Sequence, residues 1–211
     1  MEVEINMNVS PEDFDALTEI MNIGVGKAAS LLNEITASHI RLSVPQVQII
    51  NINDIGSQDL VPENEICAQV RLDFSGPFSG TSVLVFPSGS AAALVMAITD
   101  EKPDTPELDS IRAETLKEVG NLFINGVMGS IGNFLREHIS YSLPDYYEDK
   151  IEVLKDFKET TNNENVLLTT TNFYVENINV TGIIFLMLEI ESLNLLLKKI
   201  ETISAEESSG L

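Results

Sequence analysis

The sequence has one cysteine, Cys67, two histidines and no tryptophan among its 211 residues. A single cysteine excludes an internal disulfide and a cysteine-based zinc site. The longest strongly apolar stretch, residues 180–188, is far too short to cross a bilayer as a helix. The first residues lack the basic start and apolar run of a signal peptide. These absences predict a cytoplasmic protein without a membrane span.

Basic residues are also scarce. The chain has 12 lysines and arginines against 33 acidic residues, which gives a formal net charge of −21. Nucleic-acid phosphates and anionic membranes would repel such a chain, so neither is an expected partner. The charge alone leaves two interpretations open, namely solubility and a basic protein partner. Apolar residues make up 44% of the sequence, enough to predict a substantial core.

What the chain does have is an internal repeat. Residues 15–45 align without a gap to residues 114–144, at a constant offset of 99. Similar apolar patterning alone would not explain the identities, since most are polar residues or proline. They are Leu17/Leu116, Glu19/Glu118, Asn22/Asn121, His39/His138, Ile40/Ile139, Ser43/Ser142 and Pro45/Pro144. The sequence therefore predicts a duplicated unit.

Each half reads as a long helix, three strands and a closing helix. The first half begins with an N-cap signal at Ser10-Pro11, and Thr105-Pro106 repeats it. The predicted strands are 47–52, 66–74 and 81–86, then 151–154, 166–175 and 180–188. The predicted closing helices are 88–99 and 191–203. We expect an α/β fold: one pseudo-twofold domain with a central six-stranded sheet, pairing across the halves and covered by helices on both faces.

A short polar segment, residues 100–104, joins the halves and favours one compact body over two linked domains. The expected organisation is a single domain over 1–203. Its first repeat spans about 10–99 and its second about 105–203. Residues 204–211 are predicted to form a frayed acidic tail.

The repeated polar residues lie at helical spacing. Glu19 and Asn22 share one face of the first helix with Asp15, and Glu118 and Asn121 share one with Glu114. Such a pair offers no strong nucleophile, so catalysis by the asparagine would mean positioning water or stabilising charge. The alternative from spacing alone is capping or a hydrogen bond to a neighbouring loop.

The complete pattern resembles a known signature. Asp15-x3-Glu19-x2-Asn22-x22-Pro45 and Glu114-x3-Glu118-x2-Asn121-x22-Pro144 resemble the paired motif of the CheC family, the CheC/CheX/FliY phosphatases of chemotaxis. Two full motifs in one chain resemble CheC itself more than CheX. This chain departs from the family motif at Glu114, where the family usually has Asp or Ser. In addition, the side chains of residues 123–125 in the second motif are bulkier than those of residues 24–26 in the first. The two sites are therefore free to differ in activity.

The resemblance implies a phosphatase that accelerates hydrolysis of the aspartyl phosphate on CheY, a response regulator. It implies that Asn22 and Asn121 align the attacking water, and that Glu19 and Glu118 pair with a lysine of the regulator. Mg²⁺ is then expected on the regulator. This chain is expected to have no cofactor or metal site of its own, and to be a monomer.

Two other functions are compatible with the same build. One is a non-catalytic protein that binds the phosphorylated regulator, or an adaptor for the deamidase CheD. The other is a structural role, because the flagellar switch protein FliM has a related fold without the catalytic pairs. The two intact Glu–Asn pairs favour the phosphatase over the structural role.

Overall fold

The structure is a computed structural model that describes residues 9–51, 66–100, 108–150 and 165–209. Four helices lie in these ranges: α1 (Pro11–Thr36), α2 (Ser88–Thr99), α3 (Leu108–Leu135) and α4 (Ile190–Ser209). The strands are β1 (Ile40–Leu42), β2 (Gln46–Asn51), β3 (Ile66–Ser75), β4 (Gly80–Pro87), β5 (Ser140–Tyr141), β6 (Asp145–Lys150), β7 (Asn165–Val175) and β8 (Val180–Glu189).

All eight strands form one antiparallel sheet in which the two halves exchange strands. The order is β1-β7-β8-β4-β3-β5, with β2 also paired to β7 and β6 to β3. The outer strands of each half thus pair with the hairpin of the other half, and β4 meets β8 at the centre. This arrangement confirms the predicted pairing across the halves. It covers hairpin edges that either half alone would expose.

Within the described ranges the sheet has eight strands, whereas six were predicted for the whole chain. β1 and β5 are short segments that follow the long helices and complete the ladders of β7 and β3. β6 occupies residues 145–150, just before the predicted strand 151–154. Its sequence is polar because it is an edge strand, so pairing with β3 decides its structure rather than hydrophobic pattern. The predicted strand 151–154 lies outside the described residues.

The described helices all pack on one face of the sheet. Residues from α1, α2, α3 and α4 join the same buried cluster as Leu84 and Leu186. On the opposite face, Val83, Val85 and Phe185 belong to a second cluster made of strand residues. The prediction of helices on both faces is therefore wrong for the part of the chain that the structure describes. Continuous apolar runs in β4 and β8 indicate burial on both faces, but they do not specify what covers each face.

The ends of the helices follow local rules where they are described. Ser10 caps α1 by accepting from the Asp13 amide at 3.2 Å, and Asp13 accepts from the Ser10 amide at 2.8 Å. The predicted cap of α3, Thr105, lies outside the described residues. α4 continues to Ser209 and so extends over residues 204–209 of the predicted tail. Alanine and glutamate favour helix there, and the first glycine comes only at residue 210.

Candidate functional site

The first motif lies on the exposed side of α1. Leu17 and Ile20 face the core and are at most 3% exposed. Asp15, Glu19 and Asn22 are exposed. Residues three and four apart fall on one helix face, so the apolar spacing that anchors α1 also turns these three side chains toward solvent.

The second motif repeats this arrangement on α3. Leu116 and Val119 are buried, whereas Glu114 and Glu118 are exposed. Asn121 differs from its counterpart because it is half-buried. The structure therefore gives each predicted Glu–Asn pair a common helix face.

The two motif helices pack closely against each other. A Cβ added at Gly24 would lie 2.9 Å from the carbonyl oxygen of Val127, and one at Gly126 would lie 3.2 Å from the Cα of Ala28. Side chains at these glycines would force the helices apart. The small residues of α1 thus serve helix packing.

The prolines of the signature lie at strand junctions, away from the helices. Pro45 separates β1 from β2 and is buried, and Pro144 separates β5 from β6 and is half-buried. Proline has no amide hydrogen, so it interrupts a strand ladder where it stands. The structure thus gives these prolines a role in ending one short strand before the next begins.

A repeated serine holds each junction. Ser43 donates its amide to the carbonyl of Asn172 and accepts from the Asn172 amide, both at 2.9 Å. Ser142 makes the same pair of bonds with Asp73, at 2.9 and 3.0 Å. The partners are themselves 99 residues apart. These identities of the repeat therefore preserve the sheet.

The sequence reading missed four exposed apolar residues, which also occur in equivalent pairs. Ile23 and Leu122 directly follow the two asparagines and are 44% and 40% exposed. Val44 and Leu143 directly precede the two prolines and are 67% and 86% exposed. The sequence contains a signal for these residues, because Ile23/Leu122 and Val44/Leu143 are apolar pairs at the repeat offset of 99. A single exposed apolar side chain is common on protein surfaces, but recurrence at equivalent positions of both halves makes these residues candidates for a contact surface.

The two asparagines differ in their hydrogen bonds. Asn125 lies one turn after Asn121 and donates Nδ2 to its Oδ1 at 2.9 Å. The equivalent residue after Asn22 is Gly26, which has open space around it. Within the described ranges, the Asn22 side chain makes no hydrogen bond.

The functional groups of the site are a carboxylate and an amide. Over the described residues, Glu19 and Glu118 have no ion-pair partner, and no group of three His, Cys, Asp or Glu residues could hold a metal ion. A free carboxylate can bind a cation, and an amide can orient water. Neither group is a strong nucleophile. The arrangement therefore suits binding and positioning on a reactive partner.

A family model described as the CheC-like family matches residues 14–49, which include the first motif through Pro45. The flagellar motor switch phosphatase FliY of Bacillus subtilis (strain 168) is 27% identical over 139 residues. The resemblance to the CheC family is confirmed. The FliY match covers 65% of this chain and 36% of the relative, so the chain spans about a third of the curated relative's length.

Solved structures of CheC-family proteins share the fold. FliY of Thermotoga maritima matches with a TM-score of 0.73 at 19% identity, covering 93% of this chain and 100% of that one. CheX of Borrelia burgdorferi, solved in complex with CheY, BeF₃ and Mg²⁺, matches with a TM-score of 0.54 at 15% identity, covering 82% and 99%. None of the helices in the described ranges has the length and hydropathy to span a membrane.

Proposed function

We propose that this chain is a phosphatase that accelerates hydrolysis of the aspartyl phosphate on a CheY-type response regulator. The observation that carries the proposal is the repeated face of α1 and α3, where each Glu–Asn pair stands beside an exposed apolar residue. One such face on a surface has many explanations. Two equivalent faces, each combining cation-binding, water-positioning and apolar groups, favour recognition of the same partner twice.

The proposed roles follow from the chemistry of each side chain. The asparagine amide orients a water molecule for in-line attack on phosphorus, as an amide does in other phosphoryl-transfer sites. The P–O bond to the regulator's aspartate breaks, which leaves a carboxylate on the regulator and releases inorganic phosphate. The glutamate forms an ion pair with a lysine of the regulator and thereby fixes the approach of the asparagine.

The metal belongs to the partner in this proposal. Phosphoryl transfer needs neutralisation of the charge that develops on phosphate oxygens, and Mg²⁺ commonly supplies it. Among the described residues, neither Glu19 nor Glu118 belongs to a group of three His, Cys, Asp or Glu residues that could hold a metal ion, and Mg²⁺ prefers several converging oxygen ligands. We therefore assign Mg²⁺ to acidic residues of the regulator, and we place the reaction in the cytoplasm.

Docking is proposed to combine apolar contact with charge. Burial of Ile23 or Leu122 against a partner would contribute about 1–2 kcal/mol each. The net charge of −21 would draw a basic surface toward the motif faces. The complex is then expected to weaken as salt rises, because exposed charges are screened.

The decisive experiment follows the decay of a phosphorylated CheY-type regulator with Mg²⁺ present. The variants are Asn22→Ala, Asn121→Ala and their double mutant. Asn133→Ala is the matched control, because Asn133 is an exposed asparagine on α3 three turns beyond Asn121. We expect faster decay with the wild type and the control, and decay at the regulator's own rate with the double mutant.

The alternative is a non-catalytic protein that binds the phosphorylated regulator, or an adaptor for CheD. Binding of the phosphorylated regulator, measured separately with unchanged decay, would favour this alternative and contradict the phosphatase. A purely structural role does not require the Glu–Asn pairs. It predicts that the double mutant behaves like the wild type in both assays.

A further inference from the structure

Asn125 contacts the second motif asparagine from one turn further along α3. Its Nδ2 donates to Oδ1 of Asn121 at 2.9 Å. Asn125 is half-buried, and its own Oδ1 is fully buried without a hydrogen-bond partner in the described ranges. A buried amide is costly when one end is unsatisfied, so the bond to Asn121 is the polar contact that this side chain retains.

The first motif has no such contact. Gly26 replaces Asn125 there, and nothing lies within 4 Å of where its Cβ would be. Asn22 is exposed, so its amide is free to rotate and to present either its oxygen or its nitrogen outward. Ordering a free side chain on binding has an entropic cost that an already ordered side chain avoids.

The different hydrogen bonding of Asn121 and Asn22 affects how well each amide can position a water molecule. A water that attacks phosphorus must direct a lone pair at the phosphorus atom, so its hydrogens are best donated to nearby acceptors. The amide oxygen is the acceptor of an asparagine side chain. In Asn121 that oxygen accepts from Asn125 through one lone pair and keeps the second one available. The bond also fixes which end of the amide carries the acceptor.

We propose that Asn125 is a positioning residue for Asn121 that makes the second motif the more active of the two sites. The proposal rests on the phosphatase function and deepens it. Asn125 holds the Asn121 amide with its oxygen at a fixed place before the regulator docks. At the first site, Asn22 is still free after docking and has to be ordered as it positions the water. The predicted difference lies in kcat, because the restraint acts on the orientation of the water and not on the docking surface.

The test isolates the second site in an Asn22→Ala background. Asn125→Ala removes the donor, and Asn125→Asp keeps the shape while making the group an acceptor when ionised. We expect both to lower kcat about two- to tenfold with KM unchanged. Asn133→Ala in the same background is the control and should match the background itself.

A pH series distinguishes positioning from a structural role. In the Asn125→Asp variant, protonation of the introduced carboxyl creates an O–H donor. The kcat of this variant relative to the background should therefore recover as pH falls through the pKa of that carboxyl. A structural defect caused by the introduced charge would recover together with the free energy of unfolding. Urea unfolding of the same variant across pH therefore separates the two, and a kcat that recovers only in step with stability contradicts positioning. Because aspartate is nearly isosteric with asparagine, this variant also serves if Asn125→Ala unfolds.

The reciprocal change tests the first site. Gly26→Asn in an Asn121→Ala background installs the missing amide one turn after Asn22 and should raise kcat. Unchanged or increased kcat for both Asn125 variants would overturn the positioning role. If the wild type does not accelerate decay of the phosphorylated regulator, the proposed phosphatase itself fails, which is a separate result.

Discussion

The first and second halves of the chain place the same Glu–Asn pair on two differently built helices. After its asparagine, α1 carries Gly24, which packs against Val127 of α3, and Gly26, whose Cβ position is open. α3 carries Phe123, buried in the core, and Asn125, which holds the motif amide. The duplication thus kept the reactive pair and changed its surroundings. Differences in rate between the sites are expected to come from those surroundings.

The halves also differ at their edge strands. In the first half, Val47 and Ile49 of β2 pack against the core. Their counterparts in β6 are Tyr146 and Glu148, and Glu148 accepts from Arg112 of α3 at 3.1 Å. The same edge position is held by apolar contact in one half and partly by a polar network in the other. Equivalent backbone pairing therefore tolerates different side-chain chemistry.

Removal of each motif asparagine should have the largest effect. Asn121→Ala is expected to remove more than half of the accelerated decay, and Asn22→Ala less than half, because the second amide is already ordered. Phosphate release from the regulator under saturating conditions measures both. Equal losses would mean that the surroundings of the two sites have no influence on turnover.

The exposed apolar residues should affect docking at each site separately. With the other site disabled, Ile23→Ser or Leu122→Ser should raise KM about fivefold to thirtyfold with little change in kcat. Ile66→Ser is the matched control, because Ile66 is 55% exposed at the start of β3 and outside both motif helices. A KM that stays constant for both helix variants would exclude apolar docking at these positions.

The two glycines of α1 should respond to alanine with opposite signs. Gly26→Ala is expected to stabilise the fold by up to about 1 kcal/mol, since its Cβ position is open and alanine favours helix. Gly24→Ala should destabilise it by about 1–2 kcal/mol, because the carbonyl of Val127 is only 2.9 Å from the new Cβ. Urea unfolding compares the two. Equal effects would contradict the close packing of α1 on α3.

The polar network at β6 should give the smallest effect. A hydrogen bond from Tyr146, together with Arg112, holds the pKa of Glu148 below its usual 4.5. The ionised carboxylate therefore stabilises the fold above pH 4.5, and this contribution is lost as pH falls through the lowered pKa.

Tyr146→Phe should consequently cost less than about 1 kcal/mol at pH 7, since the Glu148 carboxylate at the centre of the network is exposed. The difference from the wild type should shrink below pH 4.5, as measured by urea unfolding across pH. Tyr147→Phe, on the opposite face of the same strand, is the control and should have no effect. A loss for Tyr146→Phe that does not depend on pH would assign the effect to packing.

Local pattern predicted much of the fold. The apolar spacing of α1 placed Glu19 and Asn22 on the exposed face, and the cap at Ser10 set the start of the helix. The hairpins β3–β4 and β7–β8 followed from alternating or continuous apolar runs. β6 did not, because residues 145–150 are polar and become a strand only through pairing with β3. Periodicity reports which face is buried and says nothing about an edge strand whose neighbour comes from the other half.

The sequence by itself determined the duplication, the two Glu–Asn faces and the four helices, because these depend on spacing along one segment. Only the tertiary structure decided that the halves exchange edge strands, and that the described helices share one face of the sheet. It also decided that Asn125 bonds to Asn121 whereas Gly26 leaves Asn22 free. Such features depend on distances between side chains and between distant segments. Residue spacing constrains these distances weakly, and packing fixes them.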